Sequence, residues 1–457
     1  MAATENAPRR NTQAVIIIHG IGEERPMDTV RSFVEAVLPD PEDGGEKYFS
    51  KPDPLSESFE LRKLQNRSQP RTHFFEYYWA YKVEGTNFSH VWSWFSSLLF
   101  RKPAKVPRQL LTLWVLSWLL IVLFFAGAVL GVSDYPRRVV QEFSPFALSA
   151  ASALLLSLVH LVVLGYIGDA ARYLSPLPAN IRLRQQIRAD GIQLLRRIHE
   201  SGRYRRVIVV GHSLGSVIAY DILKNYWQEC CEDYRTPKPS KQPALAALEG
   251  IGEGLRNGAA GVSIQDYMKA QLDLWKEIRG LGNPWLVTDL ITLGSPLAHA
   301  ALLMADDEDD LRTRQRQREL PTNPPEPEVE TTRSGPRSYY SYRVWGGYGP
   351  RKDIKLRAIH YGALFACTRW TNLYTPATYG LFGDIVGGPL QPWFGPGIRD
   401  IAVGTGHRWR DHSLLAHLSY WQKEKAVPGK SPSAPTISFA LANLIEALDL
   451  QNKAYFD

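Results

Sequence analysis

RVIVVGHSLGSVIAY, residues 206–220, places Ser213 between two glycines where a run of β-branched residues gives way to a helical pattern. Residues 207–210 form the short apolar run that is typical of a strand buried on both faces of a parallel sheet. Four apolar residues then recur at helical spacing: Leu214, Val217, Ile218 and Ile222. The stretch therefore predicts a strand, a sharp turn at Ser213 and a helix.

Ser213 stands in a G-x-S-x-G pattern, which a random chain of this composition contains about 0.2 times, so the surrounding structure has to support its interpretation. In a turn this tight the flanking residues must lack side chains, and Gly211 and Gly215 meet that condition. The start of a helix also favours a developing negative charge. We therefore predict that Ser213 is a nucleophile and not only part of a turn.

Composition excludes several classes of function. The chain has 457 residues, with 53 Lys and Arg against 46 Asp and Glu, a net charge of +7. The charges are spread along the chain, which gives no sign of nucleic-acid binding. The three cysteines, Cys230, Cys231 and Cys367, form neither a disulfide framework nor a metal-ligand set. We expect a reduced, cytoplasmic body that needs no cofactor and no metal.

Two long apolar runs predict a transmembrane hairpin over residues 109–168. Residues 110–132 contain no charged side chain, and His160 is the only residue in 145–168 that could carry a charge near neutral pH. Each run is long enough to cross a hydrocarbon core of about 30 Å. Basic residues on both flanks predict a two-pass protein with its termini and its main body in the cytoplasm. The alternative is two buried helices of a soluble core.

Strand and helix patterns alternate along the rest of the chain, which favours an α/β fold with a mostly parallel sheet flanked by helices. The predicted strands cover residues 14–18, 72–82, 207–210, 285–297, 369–376 and 398–406, and the predicted helices cover 27–37, 180–198 and 437–450. The intervening body divides into residues 14–108, 169–304 and 337–457. Residues 1–13 and the charged, proline-rich residues 305–336 are predicted to be disordered.

Five motifs make this chain resemble the α/β-hydrolase superfamily, in particular its serine lipases and esterases. They are VIIIHGIG at 15–22, VIVVGHSLGS at 207–216, ITLGSPL at 291–297, WTNLY at 370–374 and LLAHLSYW at 414–421. Within the superfamily the chain is similar to bacterial uncharacterised membrane-anchored hydrolases and, distantly, to GPI inositol deacylases. The resemblance implies an α/β-hydrolase fold, here with an inserted transmembrane hairpin.

The resemblance also implies the chain order nucleophile, acid, histidine, with the acid after the next-to-last strand and the histidine after the last one. Asp384 is the only carboxylate between Tyr374 and Asp400 and is the predicted acid. His417 is the predicted base, and His412 is the alternative. The oxyanion would be held by the backbone amide of Leu214 together with that of Gly20 or Ile21. His212 is expected to point away from the cleft, and His19 to brace the turn after the first strand.

These residues predict a membrane-anchored serine hydrolase that cleaves a carboxylic ester or thioester through a Ser-His-Asp triad. A lipid substrate is suggested by the apolar hairpin alone, because fold does not select a substrate. The expected partners are therefore an ester or lipid substrate and the membrane, with no nucleic acid. The alternative from another class is a catalytically silent, membrane-tethered interaction protein on a hydrolase-like scaffold.

Overall fold

The structure is a computed structural model that describes most of the chain. The described residues are 11–20, 25–82, 99–100, 103, 106, 108–132, 149–155, 173, 178–233, 242–332, 335–344, 356–377, 383–404, 411, 414–422 and 438–456. Within them, strands and helices alternate along the chain, as the sequence predicts.

The centre of the molecule is an eight-stranded sheet. In chain order its strands are β1 (Thr12–Ile18), β2 (Tyr48–Pro52), β3 (Arg62–Asn66), β4 (Arg71–Tyr77), β5 (Arg206–His212), β6 (Val287–Leu293), β11 (Arg369–Tyr374) and β12 (Ile398–Ala402). Their spatial order is β12-β11-β6-β5-β1-β4-β3-β2. The six strands from β12 to β4 run parallel, and β3 and β2 add an antiparallel edge. Two small antiparallel pairs lie outside this sheet: β7 (Glu328–Thr332) with β8 (Gly335–Tyr339), and β9 (Ser341–Val344) with β10 (Leu356–Ile359).

Helices connect the strands. They are α1 (Asp28–Val37), α2 (Arg108–Val132), α3 (Pro178–Glu200), α4 (Leu214–Asp233), α5 (Pro243–Arg256), α6 (Ile264–Gly280), α7 (Ala300–Leu303), α8 (Glu308–Arg316), α9 (Gln391–Phe394) and α10 (Phe439–Leu448). Short 3₁₀ turns add Ala80–Lys82, Pro296–His299, Leu364–Ala366, Leu414–Leu418 and Lys453–Tyr455.

The central strands are buried on both faces, which explains their unbroken apolar sequences. Every residue of β1, β5 and β6 is buried. Successive side chains alternate between the faces, so Val207 and Val209 join a core with α3, α4 and α6, whereas Ile208 and Val210 join a core with α1 and α10. Helices on both faces of a mostly parallel sheet confirm the predicted α/β class.

The sheet has a topological switch point at β1, because the next two parallel strands along the chain lie on opposite sides of it. The chain lays β4 on one side of β1 and then crosses over to lay β5 on the other side. Ile18, the last residue of β1, is paired in register with Gly211 near the end of β5. In open parallel sheets such a switch point leaves a crevice outside the carboxyl ends of the strands, where ligands bind. The turns after β1 and β5 both lie there.

The predicted transmembrane hairpin is not supported by the structure. Helix α2 coincides with the first apolar run, and residues 149–155 within the second run are helical. Across all the ranges that the structure describes, no helix combines the length and the apolar character needed to cross a membrane.

Residues 305–332, which the sequence predicts to be disordered, are folded in the structure. Asp307 caps the first turn of α8 by accepting a hydrogen bond from the Asp310 amide, and Arg314 pairs with Asp310 at 3.0 Å. The side chain of Gln315 donates to the carbonyl of Trp393 at 2.7 Å. Leu311 is fully buried. These local and tertiary contacts order a segment whose polar composition alone indicates disorder.

Two residues of the predicted disordered N-terminus, Thr12 and Gln13, are part of a strand. Residues 1–10 lie outside the described part of the chain, but Thr12 and Gln13 already belong to β1. The Gln13 amide is fully buried and donates to Thr72 Oγ1 at 2.9 Å and to the Leu450 carbonyl at 2.8 Å. Those bonds place the start of the ordered chain before residue 14.

Candidate active site

Ser213 occupies a tight turn between β5 and α4. Its φ is +52°, which is unusual for a residue with a side chain. A Cβ atom on Gly211 would lie 2.5 Å from the Cα of Ser216, and one on Gly215 would lie 2.2 Å from the Ile18 carbonyl oxygen. Neither distance is compatible with a side chain. The two glycines therefore allow the turn by letting α4 pack directly against β1 and β5.

The backbone of Ser213 is held on two sides. Its amide donates to the Leu293 carbonyl at the end of β6 at 2.9 Å, and its carbonyl accepts from both the amide and the hydroxyl of Ser216. The Ser216 hydroxyl also lies 2.6 Å from that of Ser295 in the turn after β6. These bonds hold the backbone of Ser213 in place. The side-chain hydroxyl is not used in them and can bond to another partner.

That partner is His417, in the 3₁₀ turn Leu414–Leu418 beyond β12. Its Nε2 lies 2.8 Å from Ser213 Oγ and its Nδ1 lies 3.0 Å from Asp384 Oδ1. Only 3% of His417 is exposed. An ionised carboxylate can only accept, so Nδ1 carries the proton and Nε2 presents its lone pair to the Ser213 hydroxyl. This is the orientation that a base requires to take the serine proton.

Asp384 is fully buried in the loop after β11. Besides His417 Nδ1, its Oδ1 accepts from the amides of Val386 and Gly387, each at 2.9 Å, and its Oδ2 accepts from the Tyr420 hydroxyl at 2.5 Å. Burial by itself raises the pKa of this carboxyl, but His417 and these hydrogen bonds outweigh burial and lower the pKa to about 2. Asp384 is therefore ionised at any physiological pH.

His212, one residue before Ser213, packs beside the site and does not point away from it as expected. Its ring centroid lies 5.1 Å from that of His417, and its Nε2 donates to the His417 carbonyl at 2.8 Å. Burial, followed by the charge of His417, lowers the pKa of His212 to about 3. A neutral His212 thus supports the backbone of the residue that contacts Ser213.

The predicted oxyanion-binding groups are described in part. Leu214 is the first residue of α4, where a helix leaves its amides without intrahelical acceptors. Gly20 lies against the nucleophile, because a Cβ on Gly20 would come within 2.8 Å of Ser213 Cβ. Ile21 lies outside the described residues. Gly20 and Leu214 therefore both lie next to Ser213.

His19 braces this turn, as expected. Its Nδ1 lies 2.9 Å from the Gly20 carbonyl, its ring stacks on Trp79 at 5.1 Å, and the Trp79 indole donates to the His19 carbonyl at 3.1 Å. Burial lowers the pKa of His19 to about 4, so the ring is neutral. These contacts assign His19 a structural part in the site.

A cavity of about 700 Å³ lies at the end of β4. Its wall includes Tyr78, whose ring centroid is 5.4 Å from that of His19, together with Tyr81, Glu76 and Leu194. The volume is within the range of small-molecule sites, and the mixed apolar and polar lining is typical of them. The residues that line this cavity do not include Ser213, His417 or Asp384.

His412 lies outside the described residues. Asp289, an earlier carboxylate in β6, is buried between Arg206 and Arg369 near the opposite edge of the sheet and bonds to both. In the part of the chain that the structure describes, no group of three or more His, Cys, Asp or Glu side chains is arranged to hold a metal ion. All three cysteines are buried, and none of them forms a disulfide.

Comparisons of the chain with protein-family models, with curated proteins and with solved structures found no match. The geometry and the sequence therefore carry the functional argument.

Sequence reasoning missed the part played by Tyr420 and misjudged His212. A signal for Tyr420 was present, since it follows His417 by three residues and one helical turn would place it beside the same partner. For His212 there was no such signal, because its contact with His417 joins positions 205 residues apart.

Proposed function

We propose that this chain is a serine hydrolase of the α/β-hydrolase fold that cleaves a carboxylic ester or thioester through an acyl-enzyme. One observation carries the proposal: Ser213 Oγ, the two nitrogens of His417 and Asp384 Oδ1 form a continuous hydrogen-bonded line, with distances of 2.8 Å and 3.0 Å. The strand order around β1 and the turn at Ser213 support the choice of fold.

In the proposed reaction, Ser213 Oγ attacks the carbonyl carbon while His417 Nε2 takes its proton. Asp384 stabilises the resulting imidazolium and keeps Nδ1 protonated. The amide of Leu214 and an amide of the turn at Gly20 stabilise the oxyanion. His417 then gives the proton to the leaving alcohol or thiol. Water attacks the acyl-enzyme by the same steps and releases the acid and Ser213.

The first test is labelling with a fluorophosphonate probe, which modifies activated serines. We expect the wild type and a Ser201→Ala control to be labelled, because Ser201 lies in the turn after α3 and its hydroxyl bonds only to nearby backbone groups. Ser213→Ala should not be labelled. An unlabelled wild type, or equal labelling of Ser213→Ala, would refute the enzyme and favour the catalytically silent interaction protein.

A second test separates the two candidate bases. His417→Ala should lower hydrolysis of a p-nitrophenyl ester by roughly 10⁶-fold. His412→Ala should retain most of the wild-type rate. The opposite result would transfer the role of base to His412.

Membrane attachment and a lipid substrate remain separate predictions. They rest on the apolar composition of residues 110–132 and 145–168. Extraction of a membrane fraction with alkaline carbonate tests attachment, and we expect the protein to stay with the membranes. Release of the protein into the supernatant would remove the argument for a lipid substrate and leave the hydrolase proposal intact.

A further inference from the structure

Tyr420 joins three separate parts of the candidate site. It follows the 3₁₀ turn that carries His417, its hydroxyl lies 2.5 Å from Asp384 Oδ2, and the same oxygen lies 3.1 Å from the amide of Thr375 at the end of β11. Tyr420 is fully buried. The hydroxyl thus connects the segment of the base, the loop of the acid and the sheet.

The direction of these hydrogen bonds is fixed. The Thr375 amide can only donate, so the Tyr420 oxygen accepts from it, and the single hydroxyl proton is left for Asp384. Burial and the neighbouring Asp384 raise the pKa of Tyr420 well above its ordinary value, so the proton is retained at neutral pH. Oδ2 has this donor, whereas Oδ1 receives His417 Nδ1 and two amides.

We propose that Tyr420 is a positioning residue of the hydrolase: it orients the Asp384 carboxylate toward His417 and, by drawing negative charge to Oδ2, limits the basicity of the imidazole. This inference rests on the proposed function for its kinetic consequence. A hydrogen bond to an ionised group is shorter and stronger than a neutral one and restricts the carboxylate to one orientation. Less charge on Oδ1 stabilises the imidazolium less.

Two histidines among the described residues pack around the pair, and neither carries charge near neutral pH. His212 packs on His417 from β5, and His299, in the turn after β6, faces the loop of Asp384 and bonds to the Ile385 carbonyl at 3.1 Å. Burial lowers the pKa of both histidines. If a substitution of Tyr420 changes the titration of His417, the change would therefore reflect the charge on the Asp384 carboxylate.

The test changes the strength of the donor in both directions. Tyr420→Phe removes the hydroxyl and keeps the ring, and site-specific replacement of Tyr420 by 3-fluorotyrosine keeps the hydroxyl and makes it more acidic. We expect Tyr420→Phe to move the acidic limb of the kcat/KM profile to higher pH by about half a unit or more and to lower the plateau roughly tenfold. The fluorinated protein should move the limb to lower pH.

Tyr455→Phe is the matched control. Its hydroxyl also bonds a carboxylate in a buried network, that of Asp449, but near the amino-end edge of the sheet beside Arg206 and Arg369. It should lower stability without moving the limb. The His417 titration is also followed by NMR of labelled histidine, which needs no turnover and so separates this inference from the proposed function.

Opposite shifts of the NMR midpoint in the two Tyr420 proteins support the inference even if the wild type hydrolyses nothing, in which case only the proposed function fails. The same midpoint in the wild type and the fluorinated protein overturns it, and so does a Tyr420→Phe profile that matches that of Tyr455→Phe. If Tyr420→Phe does not fold, the fluorinated protein decides alone.

Discussion

Gly294 offers a test of the site geometry that alters none of the reacting groups. This glycine follows β6 with φ +55°. A Cβ there would lie 2.7 Å from Asp384 Oδ2, 2.8 Å from the Tyr420 ring and 2.9 Å from His417 Nδ1. Ordinary contacts of this kind need about 3.5 Å, so Gly294→Ala has to displace these groups by somewhat under 1 Å.

The expected magnitude has two parts. A left-handed backbone costs an L-residue about 1–2 kcal/mol, and forcing a methyl group into a packed interior adds about 1–3 kcal/mol. A displacement approaching 1 Å in the reacting geometry lowers the rate by up to roughly 100-fold. Gly258→Ala isolates the first part, because Gly258 has φ +64° and nothing within 4 Å of the added Cβ.

We therefore expect both variants to lose about 1–2 kcal/mol of unfolding free energy from the backbone, with Gly294→Ala losing about 1–3 kcal/mol more. Urea unfolding measures these losses. Labelling by the fluorophosphonate, normalised to folded protein, should fall by up to roughly 100-fold in Gly294→Ala and stay near wild type in Gly258→Ala. Equal labelling rates in the two variants would contradict the crowded geometry described around Asp384.

Three further predictions concern single groups. Asp289→Asn should cost about 3–5 kcal/mol of stability, because it leaves Arg369 and Arg206 without their buried counter-charge. Labelling of folded Asp289→Asn by the fluorophosphonate should equal that of the wild type. Asp384→Asn should instead lower labelling by roughly 10⁴-fold. The pKa of Asp384 is lowered from 3.8 to about 2 in the folded chain, so its ionised form stabilises the fold by about 2 kcal/mol above pH 4 and this is lost as the pH falls toward 2. Urea unfolding between pH 5 and pH 2 should accordingly decline more steeply for the wild type than for Asp384→Asn, and equal slopes would refute this. His212→Phe leaves the carbonyl of His417 without its donor, so kcat should fall while KM stays within about twofold; an unchanged kcat would reduce His212 to packing.

The parts of the molecule that the sequence predicts well depend on local pattern. The β-branched run before Ser213 and the helical spacing after it are features of adjacent residues, and the structure has β5 and α4 there. The expected chain order led to Asp384 and His417, which the structure brings to within hydrogen-bond distance of each other. For these two residues, the chain order that the resemblance implies served in place of spatial information.

The parts that the sequence misses depend on contacts between distant residues. Helix α8 is polar, and what orders it includes the carbonyl of Trp393, which lies far along the chain from Gln315. The edge strand β2 is largely exposed and contains no apolar alternation that would reveal it. Neither α8 nor β2 shows a hydrophobic period in the sequence. The polar composition of α8 therefore predicted disorder, and β2 was not predicted at all.

The positive φ of Ser213 bears on function only in combination with its partners. Arg318 and Asp449 also have positive φ, so this conformation does not by itself mark a reactive residue. At a simple turn, glycine would avoid a cost of about 1–2 kcal/mol. Ser213, which is 3% exposed, differs because backbone bonds to Leu293 and Ser216 close the turn and direct its hydroxyl at the lone pair of His417. A fold that needed only the turn would gain stability from Ser213→Gly, and the increase in unfolding free energy on that substitution would measure what the placement of the hydroxyl costs.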